Sequence, residues 1–263
     1  MSREHELAHA LAAVRKRIEQ AAESAGRNAA DVELLPVTKF FPATDVAILS
    51  RLGCRGFGES REQEAAAKSV AVAKLVDESV RWHMVGQIQR NKARSIAQWA
   101  YAVHSVGSNR VVAALDRTVG AALESGERTD PLRVFVQLSL DGDVARGGVD
   151  VRSSDLVDQV CAAVASASAL ELVGVMGIPP LDWDPAEAFA RLEKEHRRVL
   201  HDHPSASGLS AGMSDDFEIA VKHGSTCVRV GTALLGRRPL PSPSVVTPVT
   251  SSSRNQASRK GQR

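Results

Sequence analysis

Lys39 closes the run Leu34-Leu35-Pro36-Val37-Thr38 and is followed at once by Phe40-Phe41-Pro42. A lysine in that setting stands at the end of a buried strand with part of its stem out of water. Desolvation lowers an amine's pKa, and the neutral amine is the form that attacks aldehydes. An unperturbed lysine is neutral only about one time in a thousand near pH 7.4, so the placement is chemically useful. The plainer alternative is a lysine that snorkels from a strand end.

Two later segments offer groups for an anion. In Gly208-Leu209-Ser210-Ala211-Gly212-Met213-Ser214-Asp215-Asp216, Ser214 is expected to be a helix N-cap, with the two aspartates at the positive end of the helix dipole. Gly212 permits close backbone approach, so N–H groups and the Ser214 hydroxyl could cradle a phosphate; a well-capped surface helix explains the same residues equally well. In Val228-Arg229-Val230-Gly231-Thr232 the alternation turns Arg229 away from its valines and into the fold, where its guanidinium needs an acceptor. Gly231 and Thr232 then offer donors at the strand's end.

The elements that must position these residues alternate. Strands are expected at 32–38, 53–58, 81–86, 100–106, 133–140, 171–178, 207–212 and 227–232, and helices near 4–26, 43–51, 61–77, 87–98, 109–125, 153–168, 184–202 and 214–223. Strand–helix alternation with near-continuous apolar strands implies parallel pairing buried on both faces. Eight such units fit a single (β/α)8 TIM barrel, with an extra N-terminal helix, better than an open doubly wound sheet. Neither GxGxxG after the first strand nor GxxxxGK[ST] occurs, which removes the commonest nucleotide readings. Barrel phosphate sites are commonly built after strands seven and eight, where Ser214 and Gly231-Thr232 fall. An aldehyde-reactive lysine at strand one facing a phosphate site at strands seven and eight describes a pocket for pyridoxal 5′-phosphate (PLP), with Arg229 toward the pyridine nitrogen.

Composition agrees with a globular chain: 263 residues, 43% hydrophobic and 24% charged, with net charge +2. That charge is too small to argue for nucleic acid as a partner. Arg237, Arg238, Arg254, Arg259, Lys260 and Arg263 meet no acidic residue in the last stretch, so the rest is net acidic. Residues 1–236 are expected to form the barrel and 237–263 a disordered basic tail rich in serine and proline. Cys54, Cys161 and Cys227 lack metal-ligand spacing and read as reduced thiols. With neither a signal peptide nor a membrane-length apolar run, a cytoplasmic protein that does not engage the membrane is expected.

Two further strings put polar groups at the mouth after strands two and three: Phe57-Gly58-Glu59-Ser60-Arg61-Glu62-Gln63-Glu64 and His83-Met84-Val85-Gly86-Gln87-Ile88-Gln89-Arg90-Asn91-Lys92. His83 reads as a hydrogen-bonded barrel histidine rather than a catalyst, and Asn91 and Lys92 as groups that cap or solvate the next helix. Together with Val37-Thr38-Lys39, Gly174-Val175-Met176-Gly177-Ile178-Pro179, Leu209 to Asp216 and Arg229 to Gly236, these strings resemble, in order, the pyridoxal phosphate homeostasis (YggS/PROSC) family. The resemblance covers roughly residues 5–236. It implies a barrel like the N-terminal domain of alanine racemase, with PLP held on Lys39 as an internal aldimine. It further implies that Ser214, Gly231 and Thr232 hold the phosphate and Arg229 meets the ring nitrogen, with Ser210 a weaker phosphate candidate. Ser60 and Ser139 stand where relatives usually carry asparagine.

An arginine at the pyridine nitrogen disfavours its protonation and weakens the ring as an electron sink, which suits a binder or a narrowly tuned racemase better than a versatile aminotransferase. Racemisation also needs a second acid/base group opposite the lysine, and Tyr101, the single tyrosine, is expected at the barrel's bottom. The leading expectation is therefore a monomeric PLP carrier that buffers the cofactor and delivers it to apo-enzymes. The alternatives are a PLP-dependent amino-acid racemase and, more weakly, an aldolase-type barrel forming its Schiff base with a sugar phosphate.

Overall fold

A computed structural model describes residues 2–237; most of the expected basic tail lies outside the described residues. The strands are β1 Glu33–Pro36, β2 Gly56–Glu59, β3 Arg81–Met84, β4 Ala100–Val106, β5 Leu132–Ser139, β6 Val149–Asp150, β7 Leu170–Gly177, β8 Gly208–Ser210 and β9 Cys227–Val230. All pairings are parallel, in the order β1-β9-β8-β7-β5-β4-β3-β2 with β6 beside the end of β5. A Val37–Gly58 bridge and the Thr38 N–H donating to the Gly58 carbonyl at 2.9 Å bring β1 to β2. The result is the expected eight-stranded parallel barrel, nearly closed.

The helices are α1 Arg3–Ser24, α2 Ala43–Arg51, α3 Glu62–Val72, α4 Ala93–Trp99, α5 Asn109–Glu124, α6 Ser154–Ala165, α7 Pro185–Asp202, α8 Phe217–Lys222 and α9 Thr232–Leu235. α1 is the extra N-terminal helix. The Ser2 hydroxyl caps it by accepting from the His5 N–H, and Leu7, Leu11, Val14 and Ile18 recur at three- and four-residue spacing to form one buried stripe. That stripe packs with Val46, Leu49, Phe217, Val228 and Leu235, while Arg3, at the start of α1, and Arg17, farther along it, pair with Asp45 at 2.7 Å and Glu218 at 2.6 Å.

A larger core lies between the sheet and the outer helices, with Leu115, Val134, Val136, Val157, Val175, Phe189 and Leu192 buried in it. The lumen is different. Strand alternation aims the other residues inward, and these include polar groups withdrawn from water: His83, His104, Ser210 and Arg229. Gly86 shows how tightly the rim is built, since a Cβ there would lie 2.0 Å from the Ser60 carbonyl oxygen.

Several expected boundaries move. β2 begins at Gly56 because Gly53, at φ +90°, still belongs to the turn after α2. β8 ends at Ser210, since Gly212 turns left-handed at φ +92°. β9 ends at Val230, so Thr232 opens α9 instead of ending a strand. The helix expected at 87–98 is a short 3-10 turn at Arg90–Lys92 followed by α4.

Candidate functional site

Lys39 sits just past β1 at the C-terminal end of the barrel, half-buried. What fixes it is a buried ionic cluster. The Lys68 ammonium, from α3, donates to the Thr38 carbonyl at 2.8 Å, to Glu59 Oε1 at 2.7 Å and to Glu64 Oε1 at 3.0 Å. The Thr38 hydroxyl also donates to Glu59 Oε1 at 2.7 Å, and the Phe40 N–H donates to Glu64 Oε1 at 2.7 Å. Both neighbours of Lys39 are thereby clamped. Burial raises the Glu59 pKa, opposed by Lys68 and Thr38, and its second oxygen, Oε2, is buried without a hydrogen-bond partner among the described residues.

Phe40 pays for this clamp with a left-handed backbone, φ +70°, uncommon for a side chain with a Cβ. Its ring lies beneath the Arg61 guanidinium at 4.9 Å. Sequence reasoning singled out the string from Phe57 to Glu64 but missed Lys68. A lysine four residues after a glutamate on a helix looks like an ordinary surface pair.

Arg229 points into the lumen as its alternation with valines requires, and is buried. It donates to Ser210 Oγ at 2.7 Å and to the Gly177 carbonyl at 3.1 Å, both neutral acceptors, while Asp216 attracts it through space. Burial lowers its pKa from the usual arginine value, yet a guanidinium remains protonated in proteins. Ser210 is placed beneath this arginine, and its hydroxyl is also 2.8 Å from His104 Nδ1. Both contacts place Ser210 in the lumen, in the Arg229 network. His104 Nε2 meets His83 Nδ1 at 3.0 Å, so His83 is the hydrogen-bonded barrel histidine expected. Burial drives His83 down to about 3 and His104 well below the ordinary imidazole value. Both shifts favour the neutral ring.

Ser214 does not cap α8, which starts at Phe217 without a side-chain cap. The Asp216 carboxylate instead accepts from the Met213 N–H at 2.6 Å, closing the preceding turn. The Ser214 hydroxyl reaches across to accept from the Ala233 N–H at 3.1 Å, in the first turn of α9. This contact joins Ser214 to Gly231 and Thr232, so two segments expected to share an anion site do meet. The strand pairing Pro36–Val230 sets that turn beside β1, and a Cβ on Gly231 would sit 3.6 Å from the Val37 carbonyl oxygen.

Residues 10–239 match the family model described as alanine racemase, N-terminal domain. The chain is 64% identical over 247 residues to the pyridoxal phosphate homeostasis protein of Mycobacterium leprae, a match covering 92% of this chain and 96% of that one. The Escherichia coli protein of the same name is 33% identical over 237 residues, covering 89% and 97%. The chain belongs to the pyridoxal phosphate homeostasis protein family.

Among solved structures, PipY of Synechococcus elongatus with PLP bound superposes with a TM-score of 0.73 at 31% identity, covering 88% of this chain and all of that one. Alanine racemase from Bartonella henselae superposes at 0.61 with 14% identity, covering 90% of this chain and 62% of that one, a likeness of fold alone. Ser139 and Ser60 have local uses. Ser139 donates to Asp141 at 3.1 Å, and the Ser60 carbonyl packs on Gly86. No helix among the described residues is long and apolar enough to cross a membrane.

Proposed function

We propose that this chain holds PLP through Lys39 at the barrel mouth and serves PLP homeostasis, buffering the cofactor and delivering it to apo-enzymes. One observation carries the reading: the Lys68–Glu59–Glu64 cluster clamps the peptide groups on both sides of Lys39. Such a clamp suits an amine that must meet a partner in one orientation.

The surrounding residues fit the group. Arg229 carries a positive charge with only neutral hydrogen-bond acceptors, which suits an uncharged ring nitrogen. Ser214, Gly231 and Thr232 form a small-residue turn with hydroxyl and backbone groups suited to a phosphate. When bound, PLP supplies an aldehyde for an amine and an electron-accepting ring. The part of Lys39 is to present its amine. Arg229 opposes a proton on the ring nitrogen by like-charge repulsion, and the α9 turn anchors the phosphate.

The test is retention of PLP through gel filtration, followed by borohydride reduction and peptide mass mapping. The label is expected on Lys39 and is lost in Lys39→Ala. A label retained elsewhere with unchanged yield would overturn the assignment. Sustained PLP-dependent racemisation, read by chiral analysis of amino acids, would replace the carrier reading by the racemase one. Tyr101 does not favour that alternative: it lies near the start of β4, its ring 5.3 Å from the Arg81 guanidinium and 5.6 Å from that of Arg133, at the end of the barrel remote from Lys39.

A further inference from the structure

Four buried side chains from four strands form one line across the lumen: Arg229 on β9, Ser210 on β8, His104 on β4 and His83 on β3, linked at 2.7, 2.8 and 3.0 Å. Nothing in the mouth chemistry above uses the two histidines. Their arrangement has a direction set by the charge at its head. A guanidinium only donates, so it occupies a lone pair of Ser210 Oγ. The serine hydrogen then turns away from the cation toward His104 Nδ1, which must be unprotonated to accept it. His104 in turn carries its proton on Nε2 and donates to His83 Nδ1, leaving the His83 proton on Nε2.

The charge at the other end acts in the same sense. A Cβ on Gly56 would lie 3.2 Å from both His83 Nε2 and Glu33 Oε1, so the carboxylate faces the last ring nitrogen across that gap, through space only, since His83 Nε2 is buried with no hydrogen-bond partner among the described residues. A donor is favoured over a lone pair there. Opposing it, Arg81 and Arg133 face His83 from below, and their charges help keep that ring neutral. The Cys227 thiol also approaches Ser210 and supplies the competing arrangement, in which serine points to sulfur and His104 is protonated on Nδ1. The cation at Arg229 disfavours that arrangement because it turns the imidazole N–H dipole toward the positive charge.

We infer that His104, braced by His83, is a positioning residue for Arg229, holding Ser210 as an acceptor so that the guanidinium stays fixed beneath the barrel mouth. Both rings are neutral Nε2–H tautomers. This inference rests on the PLP-binding reading for its functional consequence, but its proton arrangement belongs to the protein alone.

The experiment has two arms on the full chain. Long-range 1H–15N spectra of the labelled protein without PLP, assigned with His83→Gln and His104→Asn, are expected to show both rings as neutral Nε2–H tautomers from pH 5.5 to 8. A His104 proton on Nδ1, or a charged ring at neutral pH, overturns the inference whether or not PLP binds. In the second arm, His104→Phe keeps a ring against Phe135, which stacks on His104 at 4.3 Å, but cannot accept from Ser210. PLP retention should weaken about tenfold, the worth of the Arg229–Ser210 bond to a charged group once Ser210 is no longer held as its acceptor. His104→Asn returns an acceptor near the Nδ1 position and should restore retention to within about threefold. Equal retention in wild type and a folded His104→Phe variant, checked by circular dichroism, overturns the positioning role. If His104→Phe does not fold, the tautomers and the Asn variant decide. A wild-type chain that takes up no PLP defeats the functional reading instead, with the first arm still deciding the proton arrangement.

Discussion

Replacing Lys68 by methionine tests the clamp on Lys39 most directly. The side chain is 7% exposed and its partner Glu59 fully buried, so the change keeps the volume while leaving a carboxylate without its cation. Breaking a buried pair from one side costs about 3–5 kcal/mol. With roughly 2–4 °C per kcal/mol for a domain of this size, the melting temperature should fall by about 6–20 °C.

The penalty must also depend on pH. Burial already raises the Glu59 pKa above its ordinary 4.5, and removing Lys68 raises it further. An acid whose pKa is raised by folding binds more protons folded than unfolded, so stability is lost as pH climbs from the unfolded value through the folded one. The variant should therefore lie close to wild type near pH 5 and fall away toward pH 8. Adding Glu59→Gln removes the stranded charge and should recover about 2 kcal/mol. Urea unfolding at both pH values measures all three proteins. A Lys68→Met cost below about 1 kcal/mol at pH 7.5, well under that of a broken buried pair, or a cost independent of pH, would refute the argument that this ion pair holds the rim.

Further outcomes follow from single residues. Phe40→Gly should be more stable than Phe40→Ala by about 1 kcal/mol, because φ +70° suits glycine; equal denaturation midpoints would show that the left-handed backbone carries no strain. Gly212→Ala should cost about 2–4 kcal/mol, since a left-handed Cβ there lies 2.7 Å from Ala220 Cβ and 2.8 Å from Phe217 Cα; a melting point within about 2 °C of wild type, which for a domain of this size means a cost below about 1 kcal/mol, would contradict it. His83, lowered to about 3 from 6.5, binds fewer protons folded than unfolded, so stability should be lost as pH falls from 6.5, by about 2 kcal/mol at pH 5. His83→Gln should flatten that slope in acid urea titrations. Arg229→Met and Thr232→Val should each weaken PLP retention, the arginine change by about 10–100-fold, and unchanged retention in both would remove the ring and phosphate from these positions.

How much of this was legible depends on which physical signal each feature leaves in the chain. β4, at 100–106, and the long central strands β5 and β7 were readable to within a residue because burial on both faces makes them continuous apolar runs. β6 leaves no such signal: two residues after Gly147-Gly148 pair only with the end of β5. Arg229 was readable as inward-facing because strand parity is local. Its connection to His83 was not, since the links span 19, 106 and 21 residues and only the closed barrel brings them together. Ser214 misled for a similar reason. Its type and position suited a cap for the helix that follows, but α9, which the sequence hides inside an apparent strand end, offered it another N–H.

The two interior networks act on opposite edges of the proposed cofactor site by different means. At Lys39 the protein uses full charges, burying one ammonium among carboxylates to fix a backbone while leaving the amine itself to the mouth. At Arg229 the hydrogen bonds go only to neutral acceptors, with Asp216 attracting it through space, so the arginine's orientation is set without a direct ion pair. A carboxylate in place of Ser210 would hold the guanidinium more strongly but would cancel the field that opposes protonation of a ring nitrogen. An unprotonated ring is a poor sink for electrons from a substrate carbon, while attachment of the aldehyde to Lys39 does not depend on that sink. Neutral partners for Arg229 would thus leave a ring held beside it a weak electron sink, which fits the proposed carrier, or a narrowly tuned racemase, better than a versatile aminotransferase.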